Sequence, residues 1–343
     1  MDAFIGIDVA FAQKKRLPIV IARWQDGLLV PYPLMALPYK PPRGFGNAAT
    51  LDEGAVKRFV TEAVDYVEAV CHHLKLTPVR IALDAPSMPT PHGEPRRKAE
   101  RALDAAGISC FTTPSAEGFE GIKSKVRAHL DAGGPVNRLP HANQLWMLVG
   151  FELYKAFSQL APCIEVFPQA TVKLMGASGL YKMKQGGVDA QLAAVSRFTG
   201  WPKADTTADP LQDIAFGPRH YSLDAYLSAW VAALDIQRRE AMGSPSDDVI
   251  WVPKLEGIPE FEGWQPAQVF ENPPLAIPLK PMNSRTAGKQ PPTEFGRYCP
   301  GCGEHYFVRW PFGWDAHAAH KCTGLGETDP VRRKAEFKDK FMK

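Results

Sequence analysis

The 343-residue sequence contains no run of 18 or more apolar residues, the length at which a membrane-spanning helix becomes credible. Nor does it carry an excess of one charge. Its 40 Lys and Arg against 37 Asp and Glu leave +3, too little for a global field that announces nucleic acid. Its first residues, Met1-Asp2-Ala3-Phe4, have neither the positive flank nor the apolar stretch of a signal peptide. Internal repeats are absent as well. These absences lead us to expect a soluble cytoplasmic chain with no membrane partner. Apolar residues make up 45 % of the sequence, enough for a sizeable core and too many for general disorder. At roughly 150 residues per domain, the length suggests about two domains.

Cysteine is scarce and unevenly placed. Cys71, Cys110 and Cys163 sit among apolar neighbours and read as ordinary buried thiols. Cys299, Cys302 and Cys322 crowd into the last part of the chain, a spacing that suggests metal rather than disulfide in a reducing compartment. The charge excess lies there too: Phe295 to Lys343 holds nine Lys and Arg and six Asp and Glu.

Residues 4–11 read as a buried strand interrupted by one aspartate, and 17–24 as a second strand. Asp26-Gly27 signals a hairpin into a third strand at Leu28-Leu29-Val30. Thr50-x-x-Glu53 reads as a capping box. Val56, Phe59, Val60, Ala63, Val67, Val70 and Leu74 follow it at helical spacing. Then come a strand ending at Asp84-Ala85-Pro86, a basic helix over about 95–106 stopped by Gly107, and a short strand near 108–113. The segment 114–142 shows no clear period. A helix is expected over 143–159, a strand at 163–168, and helices at about 189–199 and 222–239. The pattern predicts an α/β fold with a mixed sheet covered by helices. Residues 1–242 would form this domain. Prolines such as Pro273-Pro274 and Pro291-Pro292 suggest a linker or surface strap over 243–294. A cysteine module would then occupy 295–325 and a basic tail 326–343.

Three carboxylates sit where carboxylates are costly. Asp8 interrupts the first apolar strand and shares its face with the small residues Gly6 and Ala10. Asp84 ends another strand on the face of Ala82. Asp224 has Leu227, Ser228 and Val231 at its i+3, i+4 and i+7 positions, which places it on a buried helix stripe. Bland alternatives exist: Asp84 as a turn former, and Asp224 as a complement to the helix dipole. A divalent cation is one way to keep several buried carboxylates charged and close together.

Gly6-Ile7-Asp8, Ala82-Leu83-Asp84-Ala85-Pro86, Arg97-Lys-Ala-Glu100-Arg-Ala-Leu103, Glu165-Val-Phe-Pro168 and Asp224-Ala225 stand in this order over residues 1 to about 240. In that order they resemble the predicted RNase H-like nucleases grouped as domain of unknown function 429. The resemblance implies a five-stranded mixed sheet whose first three strands are antiparallel. Its first and fourth strands would be neighbours, with the last helix beside them. It further implies phosphodiester hydrolysis with two Mg²⁺ or Mn²⁺ ions about 3.5–4 Å apart. Asp8 would bridge the ions, with Asp84 and Asp224 as one-sided ligands. Glu165 would be a fourth ligand or a partner of Arg97. Arg96 and Arg97 would grip the scissile phosphate or form a solvated basic face. The related sugar-kinase and actin-like ATPases need a Gly/Thr-rich phosphate loop after the first aspartate. Val9-Ala-Phe-Ala-Gln13 supplies none, so phosphotransfer is the weaker alternative. A non-catalytic module that binds nucleic acid or protein is the other.

Cys299-Pro-Gly-Cys302 reads as a zinc knuckle, and His317 and Cys322 complete a C-x2-C-x14-H-x4-C pattern resembling a ββα finger. Four ligands leave no open position, so Zn²⁺ here is structural. With Arg309, Lys321 and the tail, the module suits DNA or RNA, or a protein partner.

Overall fold

The computed structural model describes residues 1–177 and 186–266, together with the backbone pairing of Arg297–Tyr298 with His305–Tyr306. The chain divides into two units, Met1–Val269 and Phe270–Lys343.

Strands β1 (Asp2–Asp8), β2 (Ile19–Gln25) and β3 (Leu28–Pro31) form an antiparallel meander. Asp26 and Gly27 turn the chain with φ of 51° and 78°. Positive φ at both central residues is the geometry that matches the right-handed twist of the flanking strands. Helix α1 (Glu53–Leu74) then crosses over, and β4 (Thr77–Asp84) pairs parallel to β1. The helix is capped by Asp52, not Thr50: the Asp52 carboxylate accepts the Gly54 and Ala55 N–H groups at 2.9 and 3.2 Å. The Thr50 hydroxyl instead donates to the Asn47 carbonyl, within a 3-10 turn over Asn47–Leu51.

Helices α2 (Lys98–Ala105), α3 (Ala116–Asp131) and α4 (Ala142–Phe157) precede β5 (Cys163–Glu165), which pairs parallel to β4. The five strands lie in the order β3-β2-β1-β4-β5. Helices α5 (Pro168–Leu174), α6 (Gly187–Thr199) and α7 (Arg219–Ala233) follow, then a hairpin of β6 (Arg239–Ser244) and β7 (Asp248–Pro253). This is an α/β fold with a mixed sheet between helical layers. No described helix is long and apolar enough to cross a membrane.

Each sheet face has its own core. Ile5, Ile7, Ile19, Ile21, Ile81 and Leu83 pack under α1 and α4. Phe4, Val20, Ala22, Ala82 and Ile164 pack under α7. From Ser222 to Ala233 every α7 residue is buried, so the helix is covered on all sides and its sequence shows no polar face. It lies directly on β1 at Gly6. A Cβ at Gly6 would overlap the Ala225 carbonyl oxygen and the Ala229 nitrogen, so only a hydrogen fits.

Further expectations change, among them the helix expected over 222–239, which ends at Ala233 before β6 begins at Arg239. The segment 114–142 contains α3, whose start is fixed by the Ser115 hydroxyl accepting the Gly118 N–H. Residues 108–113 form no strand and do not join the sheet. The first domain also continues past residue 242. The β6–β7 hairpin packs Met242, Ile250 and Val252 against Ala99, Leu103 and Ala170. Beyond it Trp264 is buried, donating its backbone N–H to the Ser196 hydroxyl and its indole N–H to the Thr206 carbonyl. Cys299, Cys302, His317 and Cys322 lie outside the described residues. The strands Arg297–Tyr298 and His305–Tyr306 pair antiparallel on either side of Cys299 and Cys302.

Candidate active site

In a parallel pair, residues in register point the same way, and β1 and β4 place Asp8 directly beside Asp84. Both carboxylates stand at the C-terminal ends of the central strands, where Ala85-Pro86 ends β4. Asp8 is 8 % exposed and Asp84 is half-buried. They open into a cleft of about 440 Å³ that Glu100, Glu165, Trp146 and Tyr221 also line. The seating of α7 on Gly6 aligns its N-terminal end with this cleft: Tyr221 reaches the wall, and Asp224 lies one turn deeper. Asp224 is 3 % exposed and is not among the residues that line the cleft. Among the described residues, no group of three or more His, Cys, Asp or Glu side chains is gathered tightly enough to hold a metal ion. Asp8 and Asp84 therefore meet as a pair, with Asp224 near but set back.

Glu165 also lines this cleft, but it pairs in register with Leu83, one residue before Asp84, and its carboxylate is engaged elsewhere. There it meets Arg97, which is fully buried. Arg97 donates Nη1–H to Glu165 Oε1 at 2.9 Å and Nη2–H to Oε2 at 2.7 Å. Its Nε and Nη2 also donate to Asp248 Oδ1 at 3.0 and 2.6 Å. The Ser87 N–H adds a bond to Glu165 Oε2 at 2.8 Å, and the Ala99 N–H one to Asp248 Oδ2 at 3.2 Å. Burial opposes the Arg97 charge, but the two carboxylates outweigh it and raise its pKa. Burial raises the Glu165 pKa, against the pull of Arg97 and the Ser87 N–H.

This geometry corrects two expectations. Arg97 is committed to the interior by four hydrogen bonds, so it is not a phosphate grip. Of the two roles open to Glu165, the structure shows the pairing with Arg97. Arg96 is engaged too, with Glu100 at 3.1 Å, Asp104 at 2.5 Å and the Cys110 carbonyl at 2.9 Å.

The family described as Protein of unknown function (DUF429) matches residues 6–248. The chain belongs to this family. No curated protein and no solved structure matches it. The DUF429 match ends at Asp248, inside the β6–β7 hairpin and on the residue that closes the Arg97 cluster.

Sequence reasoning missed Asp248, Glu100 and Tyr221 in this DUF429 domain. Asp248 lies 151 residues from Arg97, and no local pattern marks it. Glu100 belongs to the Arg97–Leu103 motif, whose pattern marks no role for it. It is buried, receiving the Thr113 N–H at 2.9 Å as well as Arg96. His92, in a loop, and His129, in the last turn of α3, are used locally, His92 with Glu117 and His129 with the Pro135 carbonyl. Lys123 pairs with Glu120 on the exposed side of α3.

Proposed function

We propose that this chain is a metal-dependent nuclease on an RNase H-like sheet, with Asp8 and Asp84 at its reaction centre. The observation that carries the reading is the in-register pairing of these two aspartates at adjacent strand ends, open to a cleft. The strand order, with three antiparallel strands followed by two parallel ones, supports the RNase H-like assignment. The donor set fits a hard cation: two carboxylates meet Mg²⁺ or Mn²⁺ preferences, and sites with one or two carboxylates completed by water and substrate phosphate are common for Mg²⁺. Bound there, such an ion lowers the pKa of a water ligand and polarises a phosphoryl oxygen.

The chain's own residues do the rest. Asp8 and Asp84 hold two carboxyl groups at one spot, because neither strand end can shift without breaking the ladder. Asp224, one turn behind Tyr221, adds a carboxylate under the same face. The cluster of Arg97, Glu165 and Asp248 locks the end of β5 to α2 and the β6–β7 hairpin. It thereby holds the floor of the cleft still, which is what a positioned reaction requires.

The test is cleavage of labelled single- and double-stranded DNA and RNA with Mg²⁺, Mn²⁺ or chelator. Asp8→Asn and Asp84→Asn are expected to lose more than about a hundredfold in rate, beyond what loss of a supporting residue gives. They should unfold at wild-type denaturant concentrations. Undiminished cleavage by either variant refutes the site. Cleavage by none of the proteins, with no Mg²⁺ or Mn²⁺ uptake in calorimetry, would make the chain a binding module.

We also propose that Cys299, Cys302, His317 and Cys322 hold a structural Zn²⁺. The backbone pairing on either side of Cys299 and Cys302 supports this, since a knuckle needs its two thiolates on one hairpin.

A further inference from the structure

Between Val9 and Leu51 the sequence has a single acid, Asp26, against six basic residues. Four of these, Lys14, Lys15, Arg16 and Arg43, come together where two segments cross. Lys14 N–H bonds the Gly44 carbonyl at 3.0 Å, the Gly44 N–H bonds the Lys15 carbonyl at 2.8 Å, and the Leu17 N–H bonds the Pro42 carbonyl at 2.9 Å. A Cβ at Gly44 would overlap the Phe11 backbone, so the segments are pressed together. Arg16 and Arg43 face each other across an antiparallel bridge, and Lys14 is held at φ 65°. Like charges placed directly opposite are destabilising, and a non-glycine residue at positive φ adds strain.

Elsewhere in the domain Arg96, Arg97, Arg101, Arg197 and Arg219 pair with carboxylates, whereas Arg23, Arg58 and Arg239 lie over aromatic rings and Arg80 bonds backbone carbonyls. Among the described residues Lys14, Lys15, Arg16 and Arg43 have no carboxylate partner. Arg16 bonds the Pro41 carbonyl and lies over the Phe216 ring, and Lys15 lies 5.5 Å from the centre of the Tyr221 ring. That contact fixes the strip's place, because Tyr221, Phe11 and Ala12 all line the cleft. Another stretch of the cleft wall presents Phe111, a large aromatic that is 60 % exposed, with Trp146 also on the wall.

We infer that the strip of Lys14, Lys15, Arg16 and Arg43 seats the phosphodiester backbone of a single-stranded nucleic acid, one unpaired base of which enters the cleft and stacks on Phe111. The inference rests on the nuclease reading for the meaning of the cleft, but its contacts are independent of Asp8 and Asp84. A row of cations along two paired segments suits successive phosphates better than one isolated anion. An open aromatic face serves an unpaired base, since bases in a duplex already stack on one another. A cleft of about 440 Å³ holds a small organic group of this kind and is far too small for a duplex.

The test measures anisotropy of a fluorescent oligothymidine, the matching single-stranded oligouridine and a duplex of equal length. It uses the full chain carrying Asp8→Asn, without added divalent metal, across a salt series. Replacing Lys14, Lys15 and Arg43 together by alanine is expected to weaken both single strands about tenfold or more. It should also flatten the slope of log affinity against log salt by about 2, at roughly 0.7 per phosphate contact. Phe111→Ala should weaken single strands about tenfold and leave that slope unchanged. The duplex should bind at least about tenfold more weakly than the single strands. Unchanged affinity and slope in the triple variant overturns the strip. Equal binding of duplex and single strand, with Phe111→Ala neutral, overturns the stacked base. Failure of the nuclease reading would show in the cleavage assays and leave these binding ratios as they are.

Discussion

Arg97 takes five N–H donors into a place without solvent, and the chain answers with two carboxylates drawn from 68 and 151 residues further along the sequence. Such a cluster is worth little against a well-packed apolar substitute, but removing one member leaves the others charged and buried. Arg97→Met should therefore cost about 3–5 kcal/mol at neutral pH, read from urea unfolding. The loss should depend on pH in a definite direction. Burial raises the Glu165 pKa in the folded chain, and without Arg97 nothing of comparable strength opposes that rise. A raised folded pKa contributes stability that is complete below the ordinary carboxylate value, about 4.3, and is lost as pH rises through the folded one. The variant should thus recover part of its stability from pH 7 toward pH 4.5. A deficit that stays constant over this range would show that Glu165 is not the group left exposed to its own burial. None of this could be read from the sequence near Arg97: the Arg-Lys-Ala-Glu pattern looks like an amphipathic basic helix, and its partner Asp248 sits in a segment with no distinguishing period.

At the scale of elements, the contact between α7 and β1 is the most demanding in the domain. Gly6 has an extended backbone that any residue can adopt, so its necessity comes from space alone. Gly6→Ala should push α7 off the sheet and cost on the order of 1–3 kcal/mol, the usual range for overpacking, or more because the obstacles are backbone atoms. Wild-type stability in denaturant titration would show that α7 slides freely. Elements with a strong local signal were readable in advance: the Asp26-Gly27 turn, the α1 stripe and the strand ending at Asp84. The face shared by Gly6 and Asp8 was readable too, because alternation along a strand is geometric. The start of α3 was not, since Glu117, Glu120, Lys123 and Arg127 dilute its apolar stripe to Phe119, Ile122 and Val126. The extent of α7 was misjudged because a helix buried all round has no period to mark its ends.

For the whole molecule, the prolines beyond residue 243 hid a hairpin that completes the domain. A chain ending at residue 242 loses Asp248, Ile250 and Val252, whereas one ending at residue 266 keeps them along with Trp264. The longer of these should unfold cooperatively on heating and the shorter should not, and neither should bind zinc. The full chain should carry a single zinc ion by mass spectrometry, lost in Cys302→Ser while the first domain stays folded. Cooperative unfolding of the shorter chain would make the hairpin dispensable. The strand order has a consequence of another kind, for synthesis. Of the five strands of the sheet, β1 is made before the others and ends in the middle, and the helix that covers one face of it is made about two hundred residues later. At about 5–20 residues per second, Phe4, Val20 and Ala82 stay uncovered for tens of seconds. The nascent chain is thus most in need of chaperone cover until Ala233 has emerged.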